Sequence, residues 1–217
     1  MKLIPIDFEF ANSSNKIMDV ISVAYEVEGK VFSKWLYKDK KAQEQLVKDL
    51  LELHEKGYAF LAHAAQAEMR AMISCGMDSK TPIRFIDTFL EYKAVTNNNN
   101  RLMWGKQLLN GKVVVTSRPT YRSDNKVNNS KPEHGLAAAI FKLLEVKIDT
   151  VHKTKMRDLC ISAPESFNEN DKKAILHYGE SDIKYLRKIL GGIMNEYVFL
   201  FRKDFDRDLL RREMFLR

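Results

Sequence analysis

The stretch Ile4-Pro5-Ile6-Asp7-Phe8-Glu9-Phe10 constrains this chain more than any other. It is an apolar segment near the N-terminus with two carboxylates set into it. In a strand, side chains alternate between faces, so Asp7 and Glu9 share one face while Ile4, Ile6, Phe8 and Phe10 take the other. Two anions about 6–7 Å apart along a strand repel each other, and an apolar setting denies them solvent. A divalent cation would compensate both. An edge strand with a solvated acidic face would carry the same pattern, so the choice falls to the rest of the sequence.

The elements that follow alternate in type. Asn12 to Asn15 reads as a turn. Val20–Val27 and Val31–Tyr37 alternate in β-branched and aromatic residues on either side of Glu28-Gly29, which predicts a hairpin. Leu46, Val47, Leu50, Leu51 and His54 recur at helical spacing, and Gly57 is placed to end that helix. Tyr58–Ala62 predicts a short strand, Gln66–Cys75 a helix stopped by Gly76, Ile83–Asp87 a strand and Thr88–Val95 a helix. A hairpin followed by strand–helix–strand–helix points to an α/β fold, a mixed sheet with helices on its faces. Helical spacing returns at His134, with Leu136, Ala139, Ile140, Leu143 and Leu144 on one face. The segment through Lys153 and Lys155 reads as a loop. Asp171–Ile193 reads as helical, in two pieces around Gly179, and Asn195–Arg217 as a further helix. That final run carries no capping signal, which suggests a chain that continues into something longer.

The segment from 97 to 132 breaks this rhythm. Asn110-Gly111 between Leu108-Leu109 and Val113-Val114-Val115 predicts a hairpin. From Arg101 to Lys131 there are seven basic residues and a single acid, Asp124, so this segment holds most of the net charge of +7. A local basic excursion on a near-neutral body fits a polyanion such as nucleic acid, or a solvated loop. No apolar run approaches the roughly 20 residues that a membrane span needs. Cys75 and Cys160 match neither a disulfide framework nor a zinc spacing. With no leader-like N-terminus, they set the expectation of reduced thiols in a cytoplasmic protein.

Two later stretches carry more acid. Glu68 lies in His63-Ala64-Ala65-Gln66-Ala67-Glu68, just past a strand and at the start of a helix, where the helix dipole alone would favour it. Tyr178 and Asp182 are four residues apart, about 40° on one helix face, as an ordinary surface pair would also be.

Taken in order, Asp7-x-Glu9, the acid Glu68 and Tyr178-x3-Asp182 resemble the motifs of the DEDD superfamily of 3′–5′ exonucleases, in its tyrosine branch. Tyr178-x3-Asp182-x2-Tyr185-Leu186 is also similar to ribonuclease D. The inserted hairpin, His134-Gly135-Leu136-Ala137-Ala138-Ala139 and the Arg-rich end resemble the N-terminal exonuclease region of phage-type family A DNA polymerases. The resemblance implies a ribonuclease H-like five-stranded mixed sheet with an inserted basic hairpin. It also implies an exonuclease domain over 1–193 and a helix over 194–217 leading toward a polymerase domain in cis or trans, and, if the source is a phage, a place in the host cytoplasm. The implied reaction releases 5′ mononucleotides from the 3′ end of single-stranded or frayed DNA, with RNA as an alternative substrate. In this reading Asp7, Glu9, Glu68 and Asp182 hold two Mg²⁺ or Mn²⁺ ions, a cofactor that oxygen ligands suit. Tyr178 orients the attacking water. His63, Arg118, Arg122 and Lys126 meet the nucleic acid; Trp104 and Tyr121 nearby offer rings for stacking on bases, and packing in the core or the hairpin would account for Trp104 as well. The sequence departs from the family pattern at Ala64, where Asn is usual, at Ala67, where an aromatic is common, and at Glu68, where Asp is usual. His177-x4-Asp182 also fits the histidine branch. A DEDD-like domain with a weakened second motif could serve as a nucleic-acid-binding module instead.

Overall fold

The computed structural model describes residues 2–12, 18–98, 106–109, 112–115, 135–162 and 166–200. Its centre is a sheet of five strands: β1 (Lys2–Asn12), β2 (Met18–Val27), β3 (Lys30–Trp35), β4 (Tyr58–Ala62) and β5 (Phe85–Asp87). The spatial order is β3-β2-β1-β4-β5. β1 and β2 pair antiparallel, as do β2 and β3, whereas β1 with β4 and β4 with β5 pair parallel. The sheet is therefore mixed, and β1 is its middle strand.

Helices cover both faces. α1 (Lys40–Glu55) and α2 (Ala65–Ser74) lie on one side. Leu46, Val47 and Leu50 of α1 and Ala71 and Met72 of α2 bury there against Ile4, Ile6, Phe8, Val23 and Phe60. The alternation read from β1 is thus realised: its even-numbered apolar side chains enter this core. Gly57, at φ +88, ends α1 by donating its N–H to the His54 carbonyl at 3.0 Å, and Gly76, at φ +107, does the same for α2 toward Ile73 at 2.9 Å. Only glycine reaches those φ values without strain.

The opposite face carries α3 (Thr88–Asn98), α4 (Leu136–Leu144), α5 (Thr150–Ser162), α6 (Glu169–Ile183) and α7 (Leu186–Leu200). Ile183 and Leu186 bury against Ala24 and Leu61 of the sheet, while Tyr92, Val95, Ala139, Ile140, Ile189 and Ile193 form a satellite core among α3, α4 and α7. Arg187 fixes the start of α7 by reaching Glu26 at 3.0 Å and the Leu3 carbonyl at 2.6 Å. The inserted hairpin is present as β6 (Lys106–Leu109) and β7 (Lys112–Val115), a separate antiparallel pair. No helix among the described residues is long and apolar enough to cross a membrane.

The structure corrects two readings. The segment through Lys153 and Lys155 is the helix α5, not a loop. Its apolar stripe is weak, but Asp149 caps it by accepting the N–H groups of Val151 at 2.9 Å and His152 at 3.0 Å. Likewise, the helical run after Asn168 breaks at Lys184-Tyr185 rather than at Gly179, which is buried inside α6. The expected helix from Asn195 is seen as the end of α7, and residues 201–217 lie outside the described set.

Candidate active site

Asp7 and Glu9 stand on the face of β1 opposite the α1/α2 core, half-buried beneath α5 and α6. Their surroundings follow from how β1 is paired. Its parallel register with β4 runs from Lys2 to Pro5, and a proline offers no N–H to continue it. Past that point β1 outruns β4, so the Phe8 N–H has no strand to bond. Glu68 of α2 accepts it at 2.8 Å and takes the place of the missing strand. A register shift between Glu9 and Phe10 then twists the strand just after the second acid.

Glu68 is only 3% exposed, and its helix starts in an unusual way. The residue before α2, Ala64, is left-handed (φ 75, ψ 55) and has no side chain able to cap. Asp87, at the end of β5, supplies the cap instead. Its carboxylate accepts from Ala64 and Ala65, both at 3.0 Å, and also from Phe89 at 2.9 Å at the start of α3. One acid therefore organises the first turns of two helices. His63 sits in the same turn, with its Nδ1 3.0 Å from the Thr88 hydroxyl and its ring edge-on to Phe89.

From the other side, α6 brings Tyr178 and Asp182. The Tyr178 hydroxyl faces the Asp182 carboxylate, and the Ser181 hydroxyl donates to the Tyr178 carbonyl at 2.8 Å. The phenol's pKa is raised by burial and then by the negative fields of Asp182, Glu9 and Asp7, so it remains a neutral donor. His177 points elsewhere: its side chain is 82% exposed and lies 3.8 Å from Glu180. It lines a cleft of ≈ 380 Å³ on the far side of α6 with Glu26, Val31 and Lys184. Gly179 sets the depth of the helix. A Cβ placed there would stand 3.3 Å from the Ala24 Cβ and 3.9 Å from Asp7 Oδ2, so its absence lets α6 settle directly over β1 and β2.

The fifth helix contributes two groups that spacing in the sequence did not flag. Lys153 Nζ lies 2.5 Å from Asp182 Oδ2 and 5.4 Å from the centre of the Tyr178 ring. Two turns further on, the Cys160 thiol lies 3.8 Å from Glu9 Oε2. Burial and the neighbouring Glu9 push that thiol up to about 12, so it stays protonated. The Asp149 cap was the available signal that Lys153 belongs to a helix; nothing in the residue spacing could say which way it turns.

The electrostatics show that Asp7, Glu9, Glu68 and Asp182 form one group. Burial and then Asp182 push the Asp7 carboxyl up to about 7, against the opposing pull of Lys153. Glu9 is raised well above the usual carboxylate range by burial, then by Asp7 and Asp182. Glu68 is raised by burial and then by Asp7, with the Phe8 N–H acting against it. Asp182 is raised by burial and held back chiefly by Lys153. Such a set of oxygen donors, crowded and short of positive charge, has the chemistry that hard divalent cations favour. As the side chains stand, no group of three His, Cys, Asp or Glu among the described residues closes around an ion. Three of the four acids already hold protein donors, Glu68 the Phe8 amide, Asp182 the Lys153 ammonium and Glu9 the Cys160 thiol. Arg118, Arg122, Lys126, Trp104 and Tyr121 lie outside the described residues.

No protein-family model matches the chain, and a search of curated proteins finds no match. Among solved structures, the chain is similar to the Nibbler EXO domain of Aedes aegypti, with a TM-score of 0.51 and 12% identity over 97% of this chain and 85% of that one. At that identity the likeness is one of fold: the mixed five-stranded sheet flanked by helices is the ribonuclease H-like arrangement.

Proposed function

We propose that the chain is a divalent-metal-dependent 3′–5′ exonuclease of the DEDD type, acting on single-stranded or frayed DNA ends in a proofreading role beside a polymerase. The observation that carries this reading is the gathering of Asp7, Glu9, Glu68 and Asp182 from three elements, with the neutral Tyr178 hydroxyl among them. The fold it shares with the Nibbler EXO domain supports the same direction. Asp7, Glu9 and Asp182, with Glu68, are the residues that would hold Mg²⁺ or Mn²⁺. When bound, such ions supply an activated water and stabilise the leaving 3′ oxygen.

The chain's own groups then have definable tasks. Tyr178 donates a hydrogen bond and does not act as a base, because its proton is held more tightly than in a free phenol. It orients a water or a phosphate oxygen beside Asp182. Glu68 reaches one methylene further than an aspartate would and spends an oxygen on the Phe8 amide. It thereby ties α2 to the Asp7–Glu9 segment of β1 while bringing a further carboxyl to the group. His63, fixed by Thr88 and Phe89, stands at the end of β4 on the substrate side of this reading.

The test is degradation of a 3′-mismatched primer, in parallel with matched single-stranded DNA and RNA, in Mg²⁺ or Mn²⁺ and in EDTA. Shortening from the 3′ end with mononucleotide release, lost in EDTA and reduced by at least about 10³-fold in Asp7→Ala, is expected. Undiminished hydrolysis by Asp7→Ala would remove the assignment. Binding without cleavage in any metal would make the domain a binding module. RNA shortened faster than DNA would move it to RNA trimming.

A further inference from the structure

Lys153 is the feature that the proposed chemistry does not use. It projects from α5 into the acidic group, and its side chain is 20% exposed against 10% for that of Asp182. Its neighbours on the same helix, Lys155 and Arg157, face solvent. The lysine is close enough to act on more than one acid, since it also offsets the repulsion felt by Asp7. An ammonium in hydrogen-bonding contact with a carboxylate supplies the charge and part of the coordination that a divalent ion would supply to the same oxygen. Moreover, the Tyr178 ring lies 5.4 Å from the ammonium, within the range of a cation–π contact. From one position the ammonium thus meets both the Asp182 carboxylate and the Tyr178 ring, so it keeps a contact inside the site when the carboxylate is taken from it.

We propose that Lys153 is a positioning residue that acts as an internal counter-ion. It holds Asp182 and Tyr178 in place before metal arrives, and it gives up Asp182 to the incoming cation while keeping its contact with the Tyr178 ring. Loading of the site is then an exchange of cations, not a simple addition. The inference rests on the reading of Asp182 as a metal-binding residue. It predicts two opposed effects of removing the charge: a less stable metal-free protein, because four crowded acids lose their nearest cation, and tighter metal binding, because the competitor is gone.

The experiment is thermal melting and calorimetric titration with MnCl₂ alone, without nucleic acid, on the wild type, Lys153→Met and Lys153→Arg. Methionine keeps the length of the stem without the charge. Lys153→Met should melt lower than the wild type in EDTA yet reach half-saturation at about fivefold or more lower Mn²⁺. Lys153→Arg should stay near the wild type in both. If Lys153→Met does not fold, Lys153→Gln, which keeps a donor for Asp182, allows the same comparison. Equal loss of melting temperature at every Mn²⁺ concentration, or weaker Mn²⁺ binding, would reduce Lys153 to a packing role and leave the exonuclease reading intact. No Mn²⁺ binding by the wild type or by either variant would overturn the exchange and the metal-dependent reading together.

Discussion

Single residues explain why this site is under tension. Asp7 belongs to a group whose members raise one another's affinity for protons. Its pKa in the fold, pushed up to about 7, lies above the ordinary 3.8, so folding favours its protonated form. The associated stability is complete below the ordinary value and is lost as pH rises through the folded one. In EDTA, the melting temperature should therefore fall between pH 4 and pH 8. Asp7→Asn, which cannot ionise, should resist that fall and be more stable than the wild type by about 1–3 kcal/mol at pH 8, with little difference at pH 4. The same variant should be inactive. Melting curves at pH 4, 6 and 8 check the point; parallel curves for the two proteins would contradict it. Asp7 and Glu9 were legible in the sequence because a charge inside an apolar alternation is visible without coordinates. Lys153 and Asp87 were not, because their roles depend on which way a helix turns and where a strand stops.

The elements place these residues to within a helical turn, and β1 and α6 matter most. β1 alternated as its sequence implied, so its two faces could be assigned at once. α6 was foreseen as helical, but its glycine was read as a break because glycine weakens helices by about 1 kcal/mol relative to alanine. Tertiary contact outweighs that cost here: the missing Cβ allows the approach to Ala24 and Asp7. Gly179→Val should push α6 off the sheet, lower stability by about 2 kcal/mol and reduce hydrolysis far more than binding, since Tyr178 and Asp182 ride on the displaced turn. Denaturant melts and single-turnover rates are the measurements; wild-type turnover in this variant would mean that the site does not need α6 seated so deeply. The α5 segment was missed as an element for a related reason. Its buried side, with Lys153, Met156, Leu159 and Cys160, mixes charge with apolar groups because it faces carboxylates, so the usual apolar stripe is diluted.

Across the whole molecule, the architecture was readable from the order of alternating and helical segments, and the sheet confirms that order strand by strand. Charge distribution is the other large-scale feature, with the excess concentrated between Arg101 and Lys131. If this segment guides the strand toward the acids, the triple change Arg118→Ala, Arg122→Ala and Lys126→Ala should weaken oligonucleotide binding. It should also flatten the dependence of log K on log[salt] by about 2 units. Binding isotherms at several salt concentrations measure that slope, and an unchanged slope would assign the segment to solvent. The Asp87 carboxylate, holding the first turns of both α2 and α3, makes the edge of the sheet a support for the acidic group. β5 pairs beside β4, its terminal acid caps α2, and α2 carries Glu68 to the Phe8 amide, so the edge strand and the central strand are linked through one helix start. A change at Asp87, which is itself none of the four acids, is therefore felt at Glu68 through the turn that sets α2 in place.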